Sequence, residues 1–267
     1  MIAPVVDRSW LSGHPDAVVA DVRWYLDGRS GLDAYRAGHL PGAVFVDLDS
    51  ALAGPPGPSA GRHPLPAPEE FAAAMGRLGI GDGATVVAYD DAGGTVAARL
   101  VWMLRSLGED AALLDGGLGA WEAALESAPA TRPPARFTAR PWPGERLAGI
   151  SDVSGAAAVL LDARDPSRYR GEHEPVDPRA GHIPGAVNLP TRDNLDASGR
   201  FLPVAELRER FLAAGAGPGA ICYCGSGVTA CHNLLALEHA GLGPGRLYPG
   251  SWSQYSSDPA RPVETGS

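Results

Sequence analysis

Three cysteines lie close together in the sequence, and one of them is placed to act as a nucleophile. Cys222, Cys224 and Cys231 are the only cysteines in the 267-residue chain. Cys224 ends a short apolar run, "AICYC", and begins a glycine-containing turn, "CGSGVTA", which leads into a helix-like segment. A cysteine in such a place could be a nucleophile, a metal ligand or a small buried apolar residue.

The residues after Cys224 favour its thiolate form. Gly225 and Gly227 have no Cβ, so the backbone there can turn its N–H groups inward. A helix is predicted from Thr229 to the closing glycine, Gly241. Its apolar positions recur at helical spacing: Val228, Cys231, Leu234 and Leu235. The start of this helix would direct partial positive charge at Cys224, and the same N–H groups would hold a persulfide sulfur.

The other two cysteines are predicted to be core residues. Cys222 lies on a strand that reads as buried, and Cys231 lies on the inner face of the predicted helix. A metal site built from the three cysteines and His232 would match no usual zinc spacing. We therefore predict no metal at this site and interpret Cys224 as the nucleophile.

A cysteine with a backbone cradle can also serve phosphoryl transfer. That chemistry calls for an arginine that closes the loop and binds the phosphate oxygens bidentately. The sixth residue after Cys224 is Ala230, and no arginine follows before Arg246. The sequence therefore disfavours a phosphatase.

The chain contains two copies of one pattern. Asp90 of the first copy stands where Cys224 stands in the second. Residues 17–49 are echoed by 158–190, 85–108 by 220–242, and 113–121 by 247–255. A proline-rich stretch separates the copies. The predicted organisation is an N-terminal domain without a catalytic cysteine over 1–125, a linker over 126–149 and a C-terminal catalytic domain over 150–267.

Each copy alternates short apolar runs with helix-like segments. Runs such as "TVVAYD" and "AICYC" predict buried parallel strands, and "PEEFAAAMGRLG" and "PVAELRERFLAAG" predict helices closed by glycine. The pattern predicts two α/β domains, each a mainly parallel sheet flanked by helices on both faces. Ligands of such sheets bind at the carboxyl ends of the strands, where Cys224 is placed.

Composition excludes several classes of partner. The formal net charge of −9 argues against nucleic acid or an anionic membrane surface. No apolar run of about 18 residues is present, and the N-terminal "MIAPVVDRSWLSG" has no signal-peptide pattern. Three clustered cysteines make a poor disulfide framework. We expect a cytoplasmic protein.

These residues carry a family resemblance. The loop "CGSGVTA", the paired "AGHLPGAV" and "AGHIPGAV" blocks and the terminal "YPGSW" resemble the two-domain rhodanese sulfurtransferases over nearly the whole chain. In that family the C-terminal domain is catalytic and the N-terminal domain has lost its cysteine. The uncharged loop resembles that of 3-mercaptopyruvate sulfurtransferases, whereas thiosulfate enzymes of the mammalian kind carry basic residues after the cysteine.

The resemblance also implies site residues. It gives Arg168 as a substrate-binding arginine, with Arg179 as a second candidate and Arg170 as a third, since a guanidinium suits an α-keto carboxylate. It implies a relay of Ser226, His63 and Asp49 that would handle the proton of the pyruvate enolate. The structural alternative makes His63 a surface histidine and Asp49 a helix cap.

The predicted reaction moves sulfur in two steps. Cys224 takes a sulfur from 3-mercaptopyruvate, and cyanide, a small thiol or a thioredoxin-type dithiol accepts it. No cofactor is implied. The alternatives are a thiosulfate:cyanide sulfurtransferase and a non-catalytic persulfide carrier. The persulfide would be held by the backbone of four loop residues: Gly225, Gly227, Val228 and Thr229.

Some residues shared by both copies are interpreted as structural. His39 and His182 occur in the same turn of each half, including the half without a cysteine. The same argument makes structural pairs of an aspartate and an arginine at the ends of two predicted strands. These pairs are Asp21 with Arg23 and Asp162 with Arg164.

Overall fold

The computed structural model describes residues 1–155 and 158–266, which form two units. The first unit comprises Met1–Ala53, Pro66–Trp142 and Leu195–Phe201. The second comprises Gly54–Leu65, Pro143–Asn194 and Leu202–Ser267. A short piece of the N-terminal half, Gly54–Leu65, therefore belongs to the second unit.

The first unit is built on a parallel sheet. Its strands are β1 (Val5–Val6), β2 (Val18–Asp21), β3 (Val44–Phe45), β4 (Val86–Tyr89) and β5 (Ala111–Leu114). Its helices are α1 (Arg8–Ser12), α2 (Gly31–Ala37), α3 (Leu48–Ala51), α4 (Pro68–Arg77) and α5 (Ala97–Ser106), with a 3₁₀ turn at Gly117–Ala120. The strand order is β1-β5-β4-β2-β3.

The second unit repeats this plan. Its strands are β6 (Leu160–Asp162), β7 (Val187–Asn188), β8 (Ile221–Tyr223) and β9 (Arg246–Leu247). Its helices are α6 (Ile150–Val153), α7 (Pro166–Tyr169), α8 (Val204–Ala213), α9 (Ala230–His239) and α10 (Ser251–Tyr255), with 3₁₀ turns at Gly144–Arg146 and Thr191–Asn194. The strand order is β7-β6-β8-β9.

The order of the strands confirms the repeat. The run β5-β4-β2-β3 of the first unit corresponds to β9-β8-β6-β7 of the second, and the pairings between these strands are parallel. All residues of β4 and β8 are buried, which explains why their sequences read as continuous apolar runs. The predicted α/β fold, with parallel sheets flanked by helices, is confirmed.

The shared polar residues are structural, as predicted. Arg23 donates to Asp21 and to the carbonyl of Gly38, and in the second unit Arg164 does the same to Asp162 and the carbonyl of Gly181. All four of these side chains are buried. The arginines therefore fasten each strand end to the turn that carries His39 or His182.

The two histidines support those turns. Nδ1 of His39 hydrogen-bonds to the carbonyl of Tyr35, and the imidazole stacks on the same tyrosine at 3.8 Å. His182 makes the same bond to Tyr169 and stacks on it at 3.7 Å. Burial and these contacts give both residues a packing role.

The predicted linker is irregular at its start and packs on the first unit. Residues 127–142 contain no helix or strand. The ring of Phe137 packs edge-on against Phe71, and Trp142 donates its indole N–H to the carbonyl of Pro66. No helix within the described residues is long and apolar enough to cross a membrane.

Candidate active site

Cys224 lies at the carboxyl end of β8, in the turn before α9. Its side chain is buried, with the residue 2% exposed. The backbone N–H of Gly227 donates to the sulfur of Cys224 at 3.1 Å. Gly227 has φ +79°, and a Cβ there would lie 2.6 Å from the carbonyl oxygen of Pro249. Only glycine fits this position, so the glycine is what brings the N–H to the sulfur.

Several further N–H groups of the turn are available to a ligand. The backbone N–H groups of Gly225, Ser226, Val228 and Thr229 have no hydrogen-bond partner among residues 1–155 and 158–266. An unpaired N–H in a largely buried loop is costly unless something binds it. These donors belong to the five residues that follow Cys224, and together they can bind an anion extending from its sulfur.

The first unit shows what such a turn can hold. Asp90, at the position that matches Cys224, accepts hydrogen bonds from the N–H groups of Ala92, Gly94, Val96 and Ala97 at 2.7–2.9 Å. Burial raises the pKa of Asp90, while the four N–H groups favour its ionised form. The same kind of turn thus holds a carboxylate with its backbone.

The turn between β9 and α10 fixes the backbone of Cys224. The N–H of Cys224 donates to Oγ of Ser251 at 3.2 Å, and the hydroxyl of Ser251 donates to the carbonyl of Tyr248 at 2.9 Å. The N–H of Trp252 donates to the carbonyl of Cys224 at 2.9 Å. Ser251 has φ +51°, and among the described non-glycine residues no other has a positive φ. Such a backbone is strained for serine, and it lies beside the nucleophile.

Ser226 and His63 are hydrogen-bonded. Nδ1 of His63 lies 2.8 Å from Oγ of Ser226, and Ser226 is buried. His63 comes from the segment Gly54–Leu65, which is fastened to the second unit by the N–H of Arg62 on Oγ of Ser253. His63 is therefore not a solitary surface histidine.

Asp49, the third residue of the predicted relay, lies in the first unit on α3. Its carboxylate accepts a hydrogen bond from the indole N–H of Trp24 at 3.1 Å. The cap of α3 is Asp47, whose side chain accepts from the N–H of Ser50, so the alternative of Asp49 as the helix cap is wrong. Its role in a relay stays a prediction.

Arg168 lies at the turn after Cys224, together with a second arginine. Each guanidinium approaches Gly225: Nη2 of Arg62 and Nη1 of Arg168 lie 3.0 and 3.5 Å from the place where a Cβ would stand on that glycine. Asp177 bonds to both arginines, and Glu174 bonds to Arg168. The structure thus places two cations beside an uncharged loop.

The pKa values of the two carboxylates of this cluster are shifted in opposite directions. Burial opposes the charge of Glu174, but hydrogen bonds from Arg168 and from the N–H groups of Asp177 and Val176 lower its pKa. Burial dominates at Asp177 and raises its pKa, although Arg62 and Arg168 favour the charged form. Glu174 is therefore the firmer anchor for the guanidinium of Arg168.

The other two candidate arginines are engaged elsewhere. The guanidinium of Arg179 donates to four backbone carbonyls, those of Tyr255, Ser256, Asp258 and Arg261. This geometry favours a role in holding the C-terminal segment, and substrate binding by Arg179 stays a prediction without support from its contacts. Arg170 pairs with Glu172 at the exposed surface.

Cys222 and Cys231 are buried, as predicted. Burial raises the pKa of the Cys222 thiol, which disfavours a nucleophilic thiolate there. The thiol of Cys231 donates to the carbonyl of Gly227 at 3.4 Å and so supports the turn. Among the described residues, no group of three or more His, Cys, Asp or Glu side chains is arranged to hold a metal ion.

Comparison with known proteins agrees with this geometry. The rhodanese-like domain family matches residues 9–124 and 148–258. A Pseudomonas aeruginosa protein, provisionally named a 3-mercaptopyruvate sulfurtransferase, is 44% identical over 265 residues, which covers 94% of this chain and 93% of the relative. A Mycobacterium tuberculosis protein, provisionally named a thiosulfate sulfurtransferase, is 42% identical over 265 residues, with coverage of 96% and 93%.

Solved structures give the same result. The crystal structure of a 3-mercaptopyruvate sulfotransferase from Escherichia coli has a TM-score of 0.81 and 34% identity, and the match covers 94% of this chain and 100% of that one. The 3-mercaptopyruvate sulfurtransferase from Leishmania major has a TM-score of 0.84 and 32% identity, with coverage of 95% and 74%. The chain therefore belongs to the rhodanese family and is a sulfurtransferase.

Sequence reasoning missed three residues of the cluster and one of the turn. Arg62, Glu174 and Asp177 gave no signal of their own, although Arg62 adjoins the predicted His63. Ser251 could have been found by matching it to Gly117 of the first copy, which has the same φ of +51°. The serine at this position supplies a hydroxyl that the glycine of the other copy lacks, and this hydroxyl accepts from the N–H of Cys224.

Proposed function

We propose that the chain transfers sulfur from 3-mercaptopyruvate to a thiol or cyanide acceptor through a persulfide on Cys224. The observation that supports this most strongly is the turn itself. One N–H already donates to the sulfur, and four more have no partner among the described residues. A persulfide extends the cysteine by one atom into this set of donors, which stabilises the negative outer sulfur.

The first half-reaction balances without a cofactor. The thiolate of Cys224 attacks the thiol sulfur of mercaptopyruvate, and a new S–S bond forms as the C–S bond breaks. The electron pair of the broken bond goes to the carbon, which leaves as the enolate of pyruvate. The proton of the donor thiol ends on that carbon, so pyruvate and the Cys224 persulfide are the products.

Ser226 and His63 supply the proton transfer in this proposal. The hydroxyl of Ser226, hydrogen-bonded to His63, polarises the ketone of the donor and returns the proton to the enolate. Asp49, which the family resemblance implies as the third residue of the relay, orients His63. The guanidinium of Arg168 binds the donor carboxylate, because one of its edges is held by Glu174 while Nη1 remains available.

The second half-reaction passes the outer sulfur to an acceptor. Cyanide, a small thiol or a thioredoxin-type dithiol attacks the persulfide, and the thiolate of Cys224 is regenerated.

We also propose that the enzyme is cytoplasmic, that the catalytic domain is 150–267 and the N-terminal domain 1–125, and that 126–149 links them.

The test is steady-state sulfur transfer with 3-mercaptopyruvate and with thiosulfate, measured side by side on wild type and Cys224→Ser. We expect turnover of mercaptopyruvate that is lost in the variant, and a mass increase of one sulfur atom on Cys224 when acceptor is omitted. Turnover that survives in the variant would refute the persulfide mechanism. A trapped persulfide without turnover of either donor would instead favour the carrier.

A further inference from the structure

A pocket with a volume of about 300 Å³ lies in the first unit. Four parts of that unit line it: α2, β3, the C-terminal end of α4 and the linker segment 129–132. Both residues of β3, Val44 and Phe45, are among the lining residues, and β3 stands at the end of the strand order. Successive side chains of a strand point to opposite faces of a sheet, so the pocket follows the edge of β3 and not one face.

The walls of this pocket are largely apolar. The hydroxyl of Tyr35 donates to the carbonyl of Ala43 at 2.8 Å and accepts from the N–H of Ala130 at 2.9 Å. These bonds fix the tyrosine and use its polar group, so the ring serves as a wall. Further apolar side chains in the lining are Leu32, Phe45 and Leu78. The pocket can therefore receive an apolar ring.

The linker side of the pocket is held by close packing on α4. The N–H of Ala135 donates to the carbonyl of Gly76 at 2.9 Å. A Cβ on Gly76 would lie 2.7 Å from the carbonyl oxygen of Ala135, and a Cβ on Gly79, where φ is +74°, would lie 2.5 Å from Cβ of Arg132. The two glycines let the linker approach the end of α4, and this packing sets the position of Arg132.

The charge of the lining is positive. Among the described residues that line the pocket, three are arginines and none is acidic. Arg36 makes a long ion pair with Asp33 at 3.6 Å. The side chains of Arg77 and Arg132 are exposed and have no hydrogen-bond or ion-pair partner within residues 1–155 and 158–266. The chain as a whole carries a net charge of −9, so this pocket concentrates charge of the opposite sign.

From these features we propose that the pocket binds an organic phosphate, a small molecule that joins an apolar ring to a phosphate group. The guanidinium groups of Arg77 and Arg132 pair with the phosphate, because a guanidinium matches the phosphate oxygens bidentately. The ring packs on the apolar walls beside Phe45. The lining residues belong to the first unit and Cys224 to the second, so the inference does not rest on the proposed sulfur transfer.

The test is calorimetric titration of the full-length protein with phenyl phosphate, inorganic phosphate and phenol. We expect the Kd of phenyl phosphate to be at least about tenfold lower than that of either control compound. The reason is that inorganic phosphate uses only the arginines and phenol only the apolar walls. The affinity for phenyl phosphate should fall as salt is added, because the guanidinium groups are exposed.

Variants locate the binding site. The double variant with Arg77→Gln and Arg132→Gln should raise the Kd of phenyl phosphate about tenfold or more, and each single variant should give an intermediate value. The matched control is Arg29→Gln. Arg29 is an exposed arginine of the same unit that pairs with Asp27 and does not line the pocket, so its loss should change the Kd less than about twofold.

Three results would overturn the inference: no binding of phenyl phosphate by wild type, equal affinity for phenyl phosphate and inorganic phosphate, or an unchanged Kd in the double variant. The last result would show that the phosphate binds elsewhere. Thermal unfolding at the wild-type temperature shows that the double variant is folded. Calorimetry uses no sulfur donor, so failure here and failure of the proposed function are separate results.

Discussion

Nδ1 of His63 lies 2.8 Å from Oγ of Ser226, although 163 positions separate the two residues in the sequence. The contact exists because Gly54–Leu65 packs within the second unit, close to the turn that begins at Cys224. At Gly61, where φ is +90°, a Cβ would lie 2.6 Å from the carbonyl of Gly250, so a glycine allows this approach. A base is thereby brought to a hydroxyl beside the nucleophile.

This contact predicts that loss of the relay affects turnover of mercaptopyruvate much more than turnover of thiosulfate. Ser226→Ala and His63→Asn should lower kcat with mercaptopyruvate about 10²- to 10⁴-fold, because the enolate must be protonated. The same variants should change thiosulfate turnover little, since sulfite leaves without taking a proton. Steady-state rates with both donors over about pH 6 to 9 measure these losses.

The same assay tests Asp49. Asp49→Asn should follow His63→Asn in direction, with a smaller loss, because an orienting residue acts through its partner. Equal losses for both donors in the Ser226 variant would contradict the proton role. They would indicate that Ser226 shapes the turn instead.

Removal of single sulfur atoms should distinguish the role of Cys224 from that of Cys222. Cys224→Ala is expected to abolish transfer, whereas Cys222→Ala should retain most activity and lose about 1 kcal/mol of stability as a small buried group is deleted. Rates and thermal unfolding of both variants check this. Residual turnover by Cys224→Ala would show a second nucleophile.

Two substitutions of Ser251 separate the cost of its strained backbone from the contribution of its hydrogen bond with Cys224. Ser251→Ala keeps the strained φ of +51° and leaves the buried N–H of Cys224 unpaired, so it should cost about 1–3 kcal/mol of unfolding free energy. Ser251→Gly loses the same bond but relieves the strain, and should be about 1 kcal/mol more stable than Ser251→Ala. Denaturant unfolding of both variants gives the difference. Ser251→Gly as the less stable variant would argue against strain.

Glu174 should make stability depend on pH in the acid range. Its pKa is lowered in the folded protein, so its ionised form adds stability that is fully present above the pKa of an unfolded glutamate, about 4.3. This contribution is lost as the pH falls through the folded pKa. The stability difference between wild type and Glu174→Gln should therefore be largest near neutral pH and shrink in acid. Unfolding at several pH values measures it, and a constant difference would contradict the prediction.

Local signals made much of the fold and the nucleophile predictable. The buried strands β2, β4, β6 and β8 are runs of apolar residues in the sequence, and the repeat matched Asp90 to Cys224. The glycines of the turn directly indicated a backbone cradle. These features depend on near neighbours along the chain, which sequence patterns report well.

The arginine cluster was not predictable because it depends on distant segments. Arg62 and Asp177 are 115 positions apart, and no spacing rule joins them. The same limit applies to Arg179, whose sequence position suggested substrate but whose guanidinium bonds to the C-terminal backbone. The sequence shows that a residue is an arginine, but its role depends on the groups that its guanidinium binds in the fold.

The contrast between Asp90 and Cys224 has a thermodynamic consequence. In the first unit the group that accepts from the turn is the side chain of Asp90, which is always part of the protein. In the second, the outer sulfur of a persulfide is added and removed during each catalytic cycle. It can accept hydrogen bonds from the backbone of the turn only in the native state, so these bonds raise the stability of that state. Sulfur loading should therefore raise the melting temperature of the wild type, and calorimetry before and after acceptor is added would follow the catalytic cycle as a change in folding stability.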